Sequence, residues 1–202
     1  MKIAILGAGR VGRALGGRWE GAGHHVTYGV RDPADPRHAD LGAAAAPADA
    51  ARGVDALLVA LPWDATETVL RDLDVGDAVV IDATNPLAAN ARQLAGHPEL
   101  SGAQLVAEWA RSARVVKAFN TTGSANMVDP GYAGGIPAML IAGDDAAAKE
   151  IVAGLATEIG FDAVDAGPLA AARDLEHVAM LWIRLAYSLG HGPGIAFSLL
   201  RR

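Results

Sequence analysis

The residues best suited to chemistry stand at the start of the chain: Gly7, Ala8, Gly9, Arg10, Val11 and Gly12, in the run MKIAILGAGRVGRAL. Three glycines at this spacing suit the grip of a dinucleotide's pyrophosphate. Gly7 permits a tight turn, Gly9 lets the backbone approach the phosphates, and Gly12 lets helix and strand pack closely. The spacing alone is a weak signal, because a ligand-free βα turn can be equally rich in glycine. Its context carries more weight: an apolar strand over residues 2–6 leads in and a helical run over 11–19 leads out. Phosphates held there would meet free N–H groups and the positive end of a helix dipole.

The end of the second strand bears on which dinucleotide is bound. An acidic residue there hydrogen-bonds a ribose 2′-OH, whereas an arginine suits a 2′-phosphate. The chain reads GVRDP, with Arg31 directly after the strand and Asp32 before Pro33. Arg31 can fork onto a phosphate and Asp32 reads as a turn residue, which favours NADP over NAD.

Other reactive groups are sparse. With no cysteine there is no thiol chemistry and no zinc–thiolate site. The histidines lack metal-ligand spacing, so no metal is expected, and no nucleophile elbow is present. His24 and His25 lie in the turn before the second strand, far from the strands' carboxyl ends. His177 lies off the apolar stripe of the last helix, where solvation is expected. Lys117, inside an apolar strand, is the one weak candidate for acid–base work, and pairing with a carboxylate is its plainer role. Trp63, beside Pro62 just past a strand, could wall a cleft or pack under a loop.

Short apolar runs at 2–6, 25–30, 55–61, 78–83, 114–119, 138–143 and 161–166 read as strands. Several are nearly continuous in Val, Ile, Leu and Ala, as in parallel sheets covered on both faces. Helical patterns fall near 11–22, 64–73, 103–112, 145–159 and 169–190, while 33–53 reads as a loop with one weak helix. The alternation predicts an α/β fold: a Rossmann-type, doubly wound, mostly parallel sheet with a short C-terminal helical lobe. The expected layout is one dinucleotide-binding domain over 1–202, with 114–202 forming the acceptor pocket and closing helix. On that helix Leu175, Val178, Ala179, Trp182, Leu185, Ala186 and Leu189 form one apolar stripe. Met180, Ile183 and Tyr187 lie off it, so the helix needs two partners: the sheet, and either more of the same subunit or a second copy.

The chain has 202 residues, a mass of 20.7 kDa and a mean hydropathy of +0.22. Its net charge of −6 argues against nucleic acid or an anionic membrane as a partner. No apolar run approaches the roughly 20 residues of a membrane span. The first one is too short for a signal peptide, so the expected location is the cytoplasm.

Taken together, GAGRVG, YGVRDP, LPWDAT (61–66), DATNPL (82–87), VVKAFNT (115–121) and DAGPL (165–169) resemble the coenzyme F420-dependent NADP oxidoreductases, in the same order and along nearly the whole chain. The dinucleotide domain of the STEAP metalloreductases is a more distant resemblance. The resemblance implies hydride transfer between nicotinamide C4 and deazaflavin C5 in one cleft, in a small dimer. It assigns Gly7, Ala8, Gly9, Arg10, Val11 and Gly12 to the pyrophosphate and Arg31 to the 2′-phosphate. Leu61, Pro62 and Trp63 would border the adenosine and nicotinamide ribose side, and Ala118 would offer backbone to the nicotinamide amide. Asn85, Asn120, Thr121, Thr122 and the loop 131–136, with Gly135 and Ile136, would line the acceptor pocket. Two departures stand out. Val30 replaces the family's serine before Arg31, which removes one phosphate contact, and Asn120 stands where family members carry histidine.

The function expected is NADP(H)-dependent hydride transfer to F420 or a flavin-like small molecule, by placement of two rings at near-attack distance rather than by a proton-relaying side chain. The alternatives are ferric or cupric chelate reduction through flavin, and an NADP(H)-sensing binding protein without turnover. The small and polar residues of FNTTGSANM (119–127) speak against the sensor, since they suggest room for a second ligand.

Overall fold

The computed structural model describes residues 1–89, 93–95, 97–112 and 114–202. Strand β1 (Lys2–Leu6) is buried from Ile3 onward and pairs in parallel with β2 (His25–Gly29) on one side and β4 (Ala56–Val59) on the other. The two-residue β3 (Ala44–Ala45) pairs in parallel with β2 at one edge of the sheet. On the other side of β4 follow β5 (Val79–Asp82) and β6 (Val115–Lys117), again in parallel. Every residue of β4, β5 and β6 is buried, so both sheet faces are covered and no alternation survives. The last two strands, β7 (Ala138–Gly143) and β8 (Asp162–Asp165), pair in parallel with each other, but β7 meets β6 antiparallel. The resulting order is β3-β2-β1-β4-β5-β6-β7-β8, a Rossmann arrangement extended by a reversed pair.

Helices cover both faces. Between β1 and β2 runs α1 (Arg10–Gly21), which shares one core with β1, β5 and β6 and with the two helices α5 (Ser124–Val128) and α6 (Ala146–Glu158). Trp19 sits at the centre of that core, edge-on to Phe119 at 5.7 Å, and its indole N–H donates to the Leu155 carbonyl. The opposite face carries α2 (Pro47–Ala50), α3 (Trp63–Arg71), α4 (Gly102–Ala110) and α7 (Ala172–Ile183). A reciprocal capping box starts α4: Ser101 Oγ accepts from Gln104 N, and Gln104 Oε1 accepts from Ser101 N. Asp145 caps α6 by accepting from Ala148 N at 2.6 Å.

Several sequence expectations shift at their edges. The runs 55–61, 78–83 and 114–119 contribute only four, four and three residues to the ladder. Past the strand ends, Ala60, Leu61 and Ala83 line a cleft, and Ala60, Ala83 and Ala118 each still donate one backbone hydrogen bond to the neighbouring strand. The segment 33–53, read as a loop with one weak helix, also holds β3 and a short 3₁₀ turn at Pro36–His38 beside α2. The last helical pattern divides into a 3₁₀ turn (Leu169–Ala171), α7 and one π turn (Arg184–Ser188). Leu189, placed on the apolar stripe by its spacing, falls beyond that turn and is 62% exposed. The stretch 119–127, expected to leave room for a ligand, includes most of α5, with Asn126 and Met127 buried. Asn126 Nδ2 there donates to the carbonyls of Pro193 and Ile195, tying the C-terminal tail down.

Candidate functional site

The loop Gly7–Gly9 carries the chain from β1 into α1. Gly7 has φ +99°, and a Cβ there would lie 2.6 Å from the Ala60 carbonyl oxygen. Its N–H donates to Gly29 O at 3.0 Å, which fixes the turn to β2. A Cβ on Gly12 would come 2.1 Å from Gly7 O, so the approach of α1 to the strand requires glycine. Gly9 differs: it has extended backbone and nothing lies within 4 Å of its would-be Cβ. As N-cap of α1 it supplies no side-chain acceptor, so no side chain caps the first turn's N–H groups, which an anion could use. Glycine is therefore needed at positions 7 and 12 by the protein's own packing, whereas at position 9 it leaves open space.

Beside this loop, at the carboxyl ends of β4 and β5, lies a cavity of about 450 Å³ lined by Val11, Leu61, Pro62, Trp63, Thr84 and Asn85 among others. It adjoins, through Val11 and Ala60, the junction of β1 and β4 where the strand order reverses, which is where α/β sheets bind ligands. Trp63 does both things its sequence position allowed: it lines the cavity and packs on Trp109 of α4 at 5.1 Å.

The arginines near the second strand divide by their partners. Arg13 binds Asp40, Arg37 O and Ala8 O, and Arg37 forks onto Asp35, whose carboxyl it holds well below the usual carboxylate range. Arg31 is exposed directly after β2, and Arg10 is exposed at the first turn of α1. Asp32 Oδ1 accepts from Ala34 N at 3.0 Å in a local turn, as expected of a turn residue.

At the end of β6 the chain reverses through Phe119, a non-glycine residue at φ +60°. A residue held there costs on the order of 1–3 kcal/mol and is kept by its surroundings. Phe119 is wedged against Trp19 and its N–H faces Met139 Sδ at 3.0 Å. The reversal delivers Asn120 to Asn85. Asn120 Nδ2 donates to Asn85 Oδ1 and Asn85 Nδ2 donates back to Asn120 O, both at 3.0 Å. Asn120 also donates to Leu175 O, joining α7 to the pair, while its own Oδ1 is buried without a partner. Ala118 is buried beside this pair and gives its N–H to Asp82 O, so what it could offer a ligand is its carbonyl.

The other residues assigned to an acceptor pocket do not gather here. Thr121 is buried, and Thr122 Oγ1 accepts from Asn126. Gly135 and Ile136 line a separate cavity of about 510 Å³ closed by Ser198–Arg201 of the tail.

Lys117 has no exposed surface. Its ammonium donates to Asp82 Oδ2 at 2.9 Å and Thr84 O at 2.7 Å, and it stands 3.4 Å from Glu176 Oε1. Asp82 Oδ1 in turn accepts from the Thr84 hydroxyl at 2.7 Å and the Thr84 N–H at 2.9 Å. Pairing with a carboxylate is thus the role of Lys117, and it does not reach the cavity directly. Asp82, Thr84 and Glu176 went unnoticed in the sequence as members of one cluster. Asp82 closes the apolar run VVID, and Glu176 follows the buried Leu175 on α7. His177 is exposed, as expected. Among the described residues no group of His, Cys, Asp and Glu could hold a metal ion, and no helix is long and apolar enough to cross a membrane.

Residues 2–86 match the family model of coenzyme F420-dependent NADP oxidoreductases. A proposed F420-dependent NADP-reductase from Arthrobacter sp. FB24 is 32% identical, superposes with a TM-score of 0.87, and is covered over 100% of both chains. The chain belongs to the F420-dependent NADP oxidoreductase family. Members of this family are NADP-dependent oxidoreductases. A hypothetical protein from Sinorhizobium meliloti is similar at 28% identity and a TM-score of 0.77, over 100% of this chain and 96% of its own. Metalloreductase STEAP3 of Rattus norvegicus is 31% identical over 89% of this chain, which spans only 36% of that relative's length.

Proposed function

We propose that this family member transfers a hydride between NADP(H) and a deazaflavin or flavin-like acceptor in the cavity at the ends of β4 and β5. The observation that carries the reading is the pairing of two features: the open space over Gly9 and the adjoining cavity between Trp63 and Asn85. The first suits a pyrophosphate and the second suits flat rings. The reduced nicotinamide, when bound, supplies the hydride. The protein's part is placement, which alone accounts for a large share of such a rate.

In this reading the backbone of Gly7–Gly12 holds the pyrophosphate at the start of α1 and Arg31 takes the 2′-phosphate, with Arg10 beside the phosphates. Leu61, Pro62 and Trp63 wall the ribose and nicotinamide, and the Ala118 carbonyl faces the carboxamide. Asn85 and Asn120 form the floor on which the acceptor rests. The buried, unpartnered Asn120 Oδ1 fits an N–H donor of either ring. Residues 114–202 supply this floor and the helix behind it. Leu181, Tyr187 and Leu189 leave exposed apolar surface on and after α7, in keeping with a cytoplasmic homodimer.

Mixing the protein with NADPH and oxidised F420 and following the deazaflavin absorbance tests the proposal. Bleaching proportional to protein concentration is expected; none, with NADPH still bound, overturns the acceptor assignment. The kinship with a metalloreductase favours one second reading: reduction of a ferric or cupric chelate through flavin. Substituting flavin and ferric chelate for F420 in the same cuvette tests it.

A further inference from the structure

On the far side of Glu176 from Lys117 lies a smaller cavity of about 230 Å³, lined by Leu94, His97, Pro98, Arg173, Glu176 and His177. Glu176 is its buried wall. Thr84, at the other end of the polar cluster, lines the larger cleft. Between the two cavities run four groups in sequence: Glu176 to Lys117 at 3.4 Å, Lys117 to Asp82 at 2.9 Å, and Asp82 to the Thr84 hydroxyl at 2.7 Å. All four residues are buried. A cluster with one cation and two carboxylates is more acidic than its own neutrality requires, and Glu176 Oε1 makes no hydrogen bond.

We propose that Glu176, Lys117, Asp82 and Thr84 form a proton-delivery chain from the outer cavity to the cleft. The proposal rests on the cleft being a site of hydride transfer, whichever acceptor it holds. In such a transfer the nicotinamide C4–H bond breaks and a C–H bond forms on the acceptor with the same electron pair; the nicotinamide is oxidised, the acceptor reduced, and one further proton must reach an acceptor heteroatom. The Thr84 hydroxyl, which at rest donates to Asp82 Oδ1, turns its proton to the acceptor, and Asp82 passes Thr84 a proton only as it receives one from Lys117 in the same shift. Asp82 is resupplied by the Lys117 ammonium, and Lys117 by the carboxylic acid of Glu176. Water in the outer cavity reprotonates Glu176, so the net proton comes from solvent. Thr84 is the member that would touch the acceptor; the other three act through it.

The neighbours of Glu176 act on it in both directions, with burial the largest effect. Burial raises its carboxyl pKa, the Lys117 charge offsets part of that rise, Asp82 adds to it, and the Gly102 backbone N–H at the start of α4 lowers it. Arg173 and His177 of its own helix, with His97 from the segment before α4, face the outer cavity. Arg173 Nη1 is directed to Pro98 O, and His177 Nδ1 lies 2.7 Å from Arg173 O, so both are held by backbone.

The test uses Glu176→Gln, Thr84→Val and Thr84→Ser with NADPH and F420, and compares solvent and nicotinamide-4-deuterium isotope effects on turnover. The proposal expects Glu176→Gln and Thr84→Val to slow turnover by roughly a hundredfold, the scale of general acid catalysis, and Thr84→Ser to restore it. It also expects the solvent effect to grow and the nicotinamide effect to shrink in the slow variants, with NADPH affinity unchanged. Slow variants whose solvent effect stays at the wild-type value would show a structural role and overturn it, as would turnover within about twofold of wild type. Infrared spectroscopy in heavy water reads the donor without any acceptor. A protonated carboxyl band that persists above the ordinary glutamate range and vanishes in Glu176→Gln is expected, and its absence in the wild type overturns the chain even if F420 proves to be the wrong acceptor.

Discussion

Asn85 and Asn120, thirty-five residues apart, bind each other in both directions across the ends of β5 and β6. The pair is the one place where the cleft floor, the reversal at Phe119 and the closing helix meet, because Asn120 also holds Leu175 O. Replacing Asn120 with alanine leaves Asn85 and the Leu175 carbonyl without their partner in a mostly buried setting. The expected loss is about 1–3 kcal/mol of stability. At this chain length that lowers the melting temperature by several degrees, about 2–4 °C per kcal/mol, readable by calorimetry. The KM for the acceptor should rise more than the Kd for NADPH, since the phosphate loop is untouched. Equal changes in both would remove Asn120 from the acceptor side.

The three glycines of the loop separate binding from folding. Gly12→Ala drives a methyl to within 2.1 Å of Gly7 O, against backbone that cannot rotate away, so α1 must shift off the sheet. Overpacking of this kind costs roughly 1–3 kcal/mol. Gly9→Ala meets nothing within 4 Å and keeps an ordinary backbone angle, so the fold should stand with an unchanged melting temperature. Only a ligand pressed against that backbone would feel the methyl. Calorimetry with and without NADPH checks both: Gly9→Ala should melt like the wild type alone and lose the stabilisation that NADPH confers. If NADPH still stabilises Gly9→Ala fully, the pyrophosphate lies elsewhere.

How much of this was legible in the sequence follows the range of the interactions. β1 and β7 have the residue limits their apolar runs predict, because Gly7 and Gly143 interrupt them at once. β3 is two alanines with no β-branched residue, and only pairing with Tyr28 and Gly29 makes it a strand. α5 is five residues long, too short for a helical period, and is fixed by its packing on α1 and by Asn126. The phosphate loop was readable because its three glycines are local to one turn. The Asp82–Lys117–Glu176 cluster was not, because its members come from three elements far apart in the chain, and only the parallel register that sets Asp82 opposite Lys117 brings the first two together.

Arg31 should decide the choice between the two nicotinamide dinucleotides. Arg13 and Arg37 are engaged by Asp40 and Asp35, and the Asp32 carboxylate accepts from the backbone two residues on, so Arg31 is the exposed cation at the strand end. Arg31→Ala should weaken NADPH binding by about 1.5–3 kcal/mol, the range for a charge-assisted hydrogen bond. NADH, lacking the phosphate, should bind nearly as before. With Val30 in place of a hydroxyl residue, the wild type's own preference for NADPH should be modest. A titration of both cofactors by tryptophan fluorescence, with Trp63 as reporter in the cleft, measures all four constants. Equal losses for NADPH and NADH would end the 2′-phosphate assignment.

Glu176 should make the folded protein less stable as pH rises. Burial raises its carboxyl pKa above that of the unfolded chain, about 4.3 for glutamate, so the native state holds a proton that the unfolded state releases first. Where the native state binds more protons, unfolding free energy falls with increasing pH. The contribution is therefore fully present below the unfolded pKa and is lost as pH rises to the native one. Glu176→Gln keeps the shape and cannot ionise, so it should lack this loss. Its melting temperature relative to the wild type should climb as pH is raised above the ordinary glutamate range. Lys117→Met strands the buried Asp82 carboxylate without its cation, and breaking a buried pair in this way costs about 3–5 kcal/mol, readable in the same melting curves. Parallel melting curves that keep the same separation between wild type and Glu176→Gln at every pH would show that Glu176 does not titrate in this range, and would leave Lys117 with two charged neighbours instead of one.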